Sequence, residues 1–142
     1  MDINSSISLV SHIHSLAADF VISRLGARGL PDFASSHGNI LFQLSRNAKM
    51  TMGDLARAIN RDKSTTTVLV RKLEGAGLVR MEADEADKRS RILSLTEEGA
   101  KYTQAMGEIS AELLGTFYKG FSEEEKAVFA GYLERIKGNF VK

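Results

Sequence analysis

The apolar residues of this chain change their spacing at Gly77, and this change limits the class of fold more than any other feature. Up to Gly77 they recur every three or four residues, the spacing of one face of an α-helix. The residues after it alternate, with Val79, Met81 and Ala83 on one side, and residues 91–95 form a second alternating run. Helical spacing then returns. We therefore expect a mainly α chain with one small β-hairpin, in the order α, α, α, α, β, β, α, α.

Start and stop signals divide the central part of the chain. Four hydroxyl or carboxylate residues precede predicted helices, where each can accept a hydrogen bond from a free amide of the first turn. These N-caps are Thr51, Asp62, Thr96 and Ser122, the last in a capping box with Glu125. Asn60 and Arg61 form a tight turn between two short helices, and Gly77 ends the second one. Two short helices, a tight turn and a following hairpin are typical of a winged helix-turn-helix.

Length and composition favour one domain and exclude several classes of protein. The chain has 142 residues, of which 43% are hydrophobic, enough for a single domain with a core. It has no cysteine, which excludes disulfides, thiolate metal sites and cysteine redox switches. Asp2 and Asp19 interrupt the N-terminal apolar residues. We therefore expect neither a signal peptide nor a membrane span, and a cytoplasmic location.

The residue types that carry catalysis or bind metals are not arranged for either role. No G-x-S-x-G, H-E-x-x-H or phosphate-binding loop occurs, so we expect neither enzyme activity nor a cofactor. His12 and His14 are two residues apart, on different faces of a helix, and no carboxylate stands three or four residues from either. We interpret these two and His37 as structural or solvated histidines and expect no metal site.

A net charge of +1 conceals a basic centre. Seven basic and two acidic residues lie between Arg46 and Leu73, so the rest of the chain has an acidic excess. A basic segment with acidic flanks is the distribution expected when one segment, and not the whole surface, contacts a polyanion.

The second short helix has one apolar side and one small, polar side. At 100° per residue, the inward side holds Thr66, Leu69, Val70, Leu73 and Ala76. The outward side holds Ser64, Val68, Arg71 and Gly75. Such a face suits the DNA major groove, where Val68 can meet a thymine methyl. The residues predicted to contact DNA are Lys63, Ser64, Thr65, Thr67, Arg71 and Lys72. An ordinary solvated helix is the alternative.

The tip of the predicted hairpin is basic. Lys88, Arg89 and Arg91 can approach the DNA backbone beside a groove-bound helix, and Arg89 can enter the minor groove. Asp87 can fix the tip by binding a guanidinium or a turn amide. Residues 80–91 contain four basic and four acidic residues, so the alternative is a turn that is charged only for solubility.

Two stretches resemble the MarR family of bacterial transcription regulators. LARAINRDKSTTTVLVRKLEGAGLV, residues 55–79, is similar to the family's helix-turn-helix. DKRSRILSLTEEG, residues 87–99, resembles its wing signature, D-x-R followed by L-T-x-x-G. The resemblance covers nearly the whole chain. It implies a homodimer whose first and last helices interlock and whose recognition helices bind a palindromic operator.

The resemblance also implies a division of the chain and roles for its residues. It implies a single MarR-like domain, residues 1–142, with a winged helix-turn-helix lobe at 34–95 and a dimerisation lobe formed by 1–30 and 96–142. Asp87 and Arg89 take the wing positions, and Ser64, Thr65, Thr67 and Arg71 take the recognition-helix positions. Val68 departs from the pattern, because many relatives carry an arginine or another polar group there.

The terminal helices independently predict a dimer. The first helix is apolar on two adjacent stripes, and the last carries Tyr132, Leu133, Ile136 and Phe140 with little chain left to cover them. A two-fold dimer would space its recognition helices about one DNA turn apart, roughly 34 Å, so we expect an inverted-repeat operator. The expected role, in line with the family resemblance, is that of a repressor.

Family resemblance implies a small effector, for which the sequence offers one candidate site. A cleft between the two lobes is predicted to be lined by His14, Phe20 and Phe42, with Arg24 and Arg28 attracting an anion, so the ligand would be small and aromatic or anionic.

The rival function is a winged helix that binds protein and not DNA. Steep salt dependence separates phosphate binding from that alternative.

Overall fold

The computed structural model describes residues 2–33 and 35–141, and the predicted boundaries at residues 1, 34 and 142 lie outside them. Within the described residues there are six α-helices and three short strands. The helices are α1 (Ser6–Ala27), α2 (Ser35–Arg46), α3 (Met52–Ala58), α4 (Lys63–Gly75), α5 (Glu97–Phe117) and α6 (Glu123–Gly138). The strands are β1 (Met50–Thr51), β2 (Val79–Ala83) and β3 (Arg91–Leu95). The mainly α class with a hairpin is confirmed. β1 is an addition, since two residues are too few to show alternation.

All four predicted N-caps are confirmed, and they set where the helices begin. In each, a side-chain oxygen accepts a hydrogen bond from the amide three residues on. The pairs are Thr51 with Asp54 at 3.0 Å, Asp62 with Thr65 at 2.6 Å, Thr96 with Gly99 at 2.9 Å and Ser122 with Glu125 at 3.1 Å. Asn60 adopts φ of 56° in the turn between α3 and α4, and Gly77 adopts φ of 80° just beyond α4. The tight turn and the glycine stop are therefore in the predicted places.

The sheet is antiparallel, with β3 in the middle of the order β1-β3-β2. Leu93 pairs with Met81 on one side and Met50 on the other, and its side chain is fully buried. Val79 is also buried, whereas Arg80 is exposed. The predicted alternation is correct at Val79, Met81 and Leu93, but Ala83 is exposed, because it is the last residue of β2 and lies beyond the core. β1 fixes the sheet to the start of α3.

The buried core lies in the winged-helix region and at its junction with α1 and α5. Its largest fully buried side chains are Leu25, Ile40, Leu41, Leu55, Leu73, Leu93, Ile109, Val70 and Thr66. The inward face predicted for α4 is correct except at Ala76, which is exposed. Ala76 is the C-cap of α4, and the chain turns away at Gly77 before another core layer can cover it.

The terminal helices bury very little within one chain. Leu25 is the buried residue of α1, and none of the residues of α6, all of them described, is buried. Large apolar side chains exposed on the two helices include Ile7, Val10, Leu16, Val128, Tyr132, Leu133 and Ile136. Phe140, predicted on the last helix, is also exposed but lies beyond its end at Gly138. Apolar surface of this extent is typical of an interface.

By length and composition alone, the segment Ile3–Ala27 could cross a membrane, with a mean hydropathy of 1.2 over its most apolar stretch. This differs from the expectation drawn from Asp2 and Asp19. Its C-terminal end is held on α5 by ion pairs from Arg24 to Glu112 at 2.9 Å and from Arg28 to Glu108 at 2.6 Å. These ion pairs place the C-terminal end of α1 against α5.

Gly99 allows α5 to begin directly against the turn between α4 and β2. A Cβ at this position would overlap the carbonyl oxygen of Leu78 and lie 3.2 Å from Cδ2 of Leu95. Thr96 reinforces the contact, since its hydroxyl donates to the Gly77 carbonyl at 2.6 Å and its amide donates to the Leu78 carbonyl at 3.1 Å. The L-T-x-x-G stretch therefore fastens the end of β3 to the end of α4.

Gly99→Ala is expected to lower the free energy of unfolding by about 1–3 kcal/mol, because backbone must move to admit the methyl group. Chemical denaturation monitored by circular dichroism measures the change. Gly107→Ala is the matched control in the same helix, where nothing lies within 4 Å of the added Cβ. It is expected to gain up to about 1 kcal/mol from helix propensity. Equal stability of the two variants would contradict the close approach.

His37 is a buried histidine at the junction of the lobes. Its side chain is only 6% exposed, and neither ring nitrogen has a hydrogen-bond partner among the described residues. Its ring lies 5.6 Å from that of Phe33, which in turn lies 5.6 Å from Tyr102. Burial, and secondarily the charge of Lys72, lowers the pKa of His37 from 6.5. The neutral ring is therefore the form that the folded protein holds.

Stability should fall as the pH drops below 6.5. There the unfolded chain protonates His37 and the folded chain resists, so the free energy of unfolding decreases by at most about 1.4 kcal/mol per pH unit from this group. Thermal unfolding between pH 7.5 and 5.5 measures it. His37→Leu should flatten the dependence, whereas His12→Gln, which removes an exposed histidine, should retain it. A profile unchanged by His37→Leu would show that other groups cause the effect.

Candidate nucleic-acid interface

α4 has its predicted outward face exposed. Thr66, Val70 and Leu73 are buried against the core, and this fixes the rotation of the helix. The exposed residues are Lys63, Ser64, Thr65, Val68, Arg71 and Lys72, and Thr67 is half-buried. The helix therefore presents hydroxyls and cations to solvent along one side.

Hydrogen bonds at the start of α4 determine which polar groups are available. The carboxylate of Asp62 accepts the amide of Thr65, and this bond lowers the pKa of Asp62, so the cap stays ionised. The Thr67 hydroxyl donates to the Lys63 carbonyl at 2.8 Å. The Thr65 hydroxyl also bonds the Asp62 carboxylate and helps to lower its pKa, whereas the Ser64 hydroxyl makes no hydrogen bond to another described residue and is free to bond a ligand.

The hairpin tip is shaped by its own backbone amides. Oδ1 of Asp87 accepts the amide of Arg89 at 3.0 Å, and the Asp87 carbonyl accepts the amide of Ser90 at 3.0 Å. Of the two partners expected for Asp87, the structure shows the turn amide. The side chain of Arg89 is thus exposed on a tip whose shape is set without it.

The helix and the hairpin border one open cleft of about 380 Å³. Its lining is Met52, Lys63, Ser64, Thr67, Arg71, Met81, Arg89, Ser90 and Arg91. Four predicted residues of α4 and two of the hairpin thus meet around a single space. The remaining predicted residues, Thr65, Lys72, Asp87 and Lys88, are exposed beside it and do not line it.

Three residues of this cleft were not predicted as site residues. Met81 lies on the inward side of the β2 alternation, so its direction was readable from the sequence although its role was not. Met52 and Ser90 reach the cleft through tertiary packing and the tip turn, for which the sequence carries no local signal.

The charges of the hairpin are separated by face. Arg89 and Arg91 line the cleft beside α4, whereas Glu82, Asp84 and Glu85 line a second cleft beside Asp54. Successive strand residues point to opposite sides of a sheet, which puts Met81 on one face and Glu82 on the other. The acids therefore do not neutralise the face that α4 shares with the tip.

Ion pairing also distinguishes this face. Within the described residues, several cations near the cleft make no ion pair, namely Lys63, Arg71, Lys72, Lys88, Arg89 and Arg91. Elsewhere in the described residues seven cations are paired, namely Arg24, Arg28, Arg57, Arg80, Lys101, Lys126 and Lys137, and five are not, namely Arg46, Lys49, Arg61, Lys119 and Arg135. The face has positive charge with no internal partner, as an interface for a polyanion requires.

The four residues predicted for an effector site do not share a pocket in one chain. Phe20 lines a shallow groove between α1 and α5, and Phe42 lines a separate cleft between α2 and α5. His14 is exposed on α1. Arg24 pairs with Glu112 and lies 4.6 Å above the ring of Phe20. The Arg24 guanidinium is paired with a carboxylate, and Arg24 does not line the cleft that includes Phe42.

Within the described residues, no cluster of three metal-ligating side chains occurs. His12 and His14 are exposed, and His37 is buried beside Phe33.

Comparison with known proteins identifies the family. A model of the MarR family matches residues 35–90, from α2 to the hairpin tip. The transcriptional regulator HosA of Escherichia coli is 31% identical over 107 residues, which cover 75% of this chain and 79% of HosA. The structure of a mutant MarR from E. coli complexed with operator DNA is 19% identical, with a TM-score of 0.72 over 96% of this chain and 99% of that one.

A second structure extends the likeness of fold. The heme sensor protein PefR from Streptococcus agalactiae, in complex with heme, is 19% identical, with a TM-score of 0.77 over 96% of this chain and 91% of that one. Such coverage includes the long N-terminal helix, which is therefore an element of the shared fold. The relatives are transcriptional regulators and not enzymes, as the absence of catalytic motifs predicted. The chain belongs to the MarR family of winged helix-turn-helix, DNA-binding transcriptional regulators.

Proposed function

We propose that this protein is a cytoplasmic repressor that binds a palindromic operator in double-stranded DNA as a homodimer and is released by a small ligand. The observation that supports it best is the cleft in which unpaired cations of α4 and of the hairpin tip border one space. A helix and a β-ribbon side by side can occupy a major groove and the adjacent minor groove at once.

Each polar residue of α4 has a role that follows from its chemistry. Lys63 and Lys72 neutralise phosphates, which position the protein without reading sequence. Ser64, Thr65 and Thr67 bond phosphates or base edges, and Arg71 can bind the O6 and N7 atoms of a guanine or a phosphate. Thr67 does so as an acceptor, because its proton is given to the Lys63 carbonyl.

The hairpin tip acts as the wing. Arg89 enters the minor groove, where a narrow A·T tract concentrates negative potential, and Lys88 and Arg91 contact the adjacent backbone. Asp87 contributes indirectly, by holding the amide of Arg89 and so the shape of the tip.

The homodimer follows from the uncovered faces of α1 and α6. A two-fold dimer repeats the same cleft on both subunits, so its operator is an inverted repeat with half-sites roughly 34 Å apart. The groove between α1 and α5 that includes Phe20 has an almost wholly apolar lining, which suits a helix of the second subunit.

The cleft between α2 and α5, of about 360 Å³, is the best supported place for an effector. Its lining is Gly38, Leu41, Phe42, Thr103, Met106, Gly107 and Ser110, none of them charged. This favours an apolar or aromatic ligand over the anion expected from Arg24. α2 packs on α4, and α5 begins at the base of the wing. A ligand between them releases DNA by favouring an arrangement in which the two copies of α4 no longer match the operator.

Substitutions in the cleft should weaken binding in different ways. Arg71→Ala is expected to lower operator affinity roughly 5- to 100-fold and to change base preference at the position it reads. Arg89→Ala should lower affinity mainly for operators with A·T-rich flanks, because its contact depends on a narrow minor groove. Fluorescence anisotropy with operators of altered flanks measures both.

Lys101→Ala is the matched control, since Lys101 is paired with Glu97 and Glu98 outside the cleft. The parent should lose affinity steeply between roughly 50 and 200 mM salt, and each lost phosphate contact should reduce the slope of log K against log salt by about 0.9. Identical binding of every operator by parent and Arg89→Ala would refute the wing assignment. Salt-independent binding of a protein partner instead of DNA would favour the rival function.

Ile136→Asp should weaken dimerisation and operator binding together. Ile136 is 52% exposed in the single chain, and a carboxylate buried there without a partner costs several kcal/mol. We expect the dimer dissociation constant to rise at least about 100-fold, measured by light scattering and sedimentation. Ala100→Asp is the control, an exposed alanine in the first turn of α5. An unchanged dimer in Ile136→Asp would contradict the assignment of α6.

A further inference from the structure

Val68 is an apolar residue placed where polar side chains surround it. It lies in the middle of α4 and is 69% exposed. In the described part of residues 35–95, the other exposed large apolar residue is Phe42, which Arg46 covers at 5.6 Å. At this exposure Val68 contributes little to the core, so its side chain is available to a ligand.

The position of Val68 on the helix makes it central to the DNA-facing side. Ser64 lies one turn before it and Arg71 about one turn after it, on the same outward line. Both of these residues line the cleft that the wing completes, and Val68 lies between them on the outward side of the helix without lining it. The branched valine side chain is short and has one preferred χ1 rotamer in a helix, so its methyl groups have fixed directions. A group of this kind can contact only the part of a groove that the helix axis approaches most closely.

The major groove offers one apolar group to such a side chain. Base edges there present hydrogen-bond donors and acceptors, except for the C5 methyl of thymine. Valine against a donor or acceptor would desolvate it without replacing its hydrogen bond with water, which is unfavourable. Valine against a methyl removes apolar surface of both groups from water, which is favourable.

We propose that Val68 reads a thymine through its C5 methyl, at one symmetric position of each operator half-site. This inference rests on the proposed function and adds the base and the atom that are recognised. Ser64 and Arg71 on either side supply polar contacts. Val68 makes an apolar contact between them that excludes water and depends on the methyl group. The preference it creates is for thymine over cytosine or uracil at that position.

The test replaces thymines of the operator one symmetric pair at a time by deoxyuridine, which removes only the methyl and keeps the base pair. The operator is first selected from random DNA with the parent protein. For one pair, the parent should bind about fourfold more weakly per half-site, the effect of exposing one methyl-sized group to water. Val68→Ala should bind the thymine and uracil forms of that operator equally.

Ser64→Ala is the control, because it removes a neighbouring hydroxyl and should keep the thymine–uracil difference whatever it does to overall affinity. Folding is not at issue at so exposed a position, and circular dichroism verifies it. A parent that binds its selected operator but ignores every uracil substitution overturns this inference and leaves the proposed function intact. A difference that persists in Val68→Ala overturns it equally. A parent that selects no DNA overturns both.

Discussion

The approach of Gly99 to the Leu78 carbonyl is the contact on which the DNA-binding geometry depends. It places the first turn of α5 directly on the connection between α4 and β2, and Thr96 adds two hydrogen bonds to the same connection. The C-terminal end of the recognition helix and the start of the wing are therefore held by the same contact with α5. Because backbone atoms make this contact, the angle between helix and wing cannot be adjusted by side-chain rotation. The family signature at residues 95–99 therefore sets the distance between the backbones of α5 and of the α4–β2 connection.

The folded chain places its basic and acidic residues on different faces, although they are mixed along the sequence. The hairpin has equal numbers of basic and acidic residues, yet Arg89 and Arg91 line the cleft beside α4 and three of its acids line the cleft on the other face. The basic residues beyond the cleft mostly have carboxylate partners in the same chain. A nearly neutral protein can in this way direct one cationic face at a polyanion while the rest of the chain has an acidic excess.

Much of the fold was predictable because its signals are local. The predicted bounds of the helices and the hairpin are correct to within a few residues, because N-caps, the glycine stop at Gly77 and the change of apolar spacing mark them. The same signals predicted the outward face of α4. The rest depends on contacts between distant segments. β1 is too short to show a pattern, Met52 enters the cleft only through packing, and the partner of Arg24, Glu112, lies 88 residues along the chain. For the same reason, residues predicted for one effector site belong to two different grooves.

The uneven distribution of burial between the lobes has a consequence for how the molecule is made. The core around Leu55, Leu73 and Leu93 is complete within one chain, whereas α1 and α6 leave most of their apolar surface uncovered. The winged-helix core can thus form within a single subunit. In the proposed homodimer the terminal helices would gain stability from the second copy, so their resistance to unfolding and proteolysis would rise with the concentration of the protein.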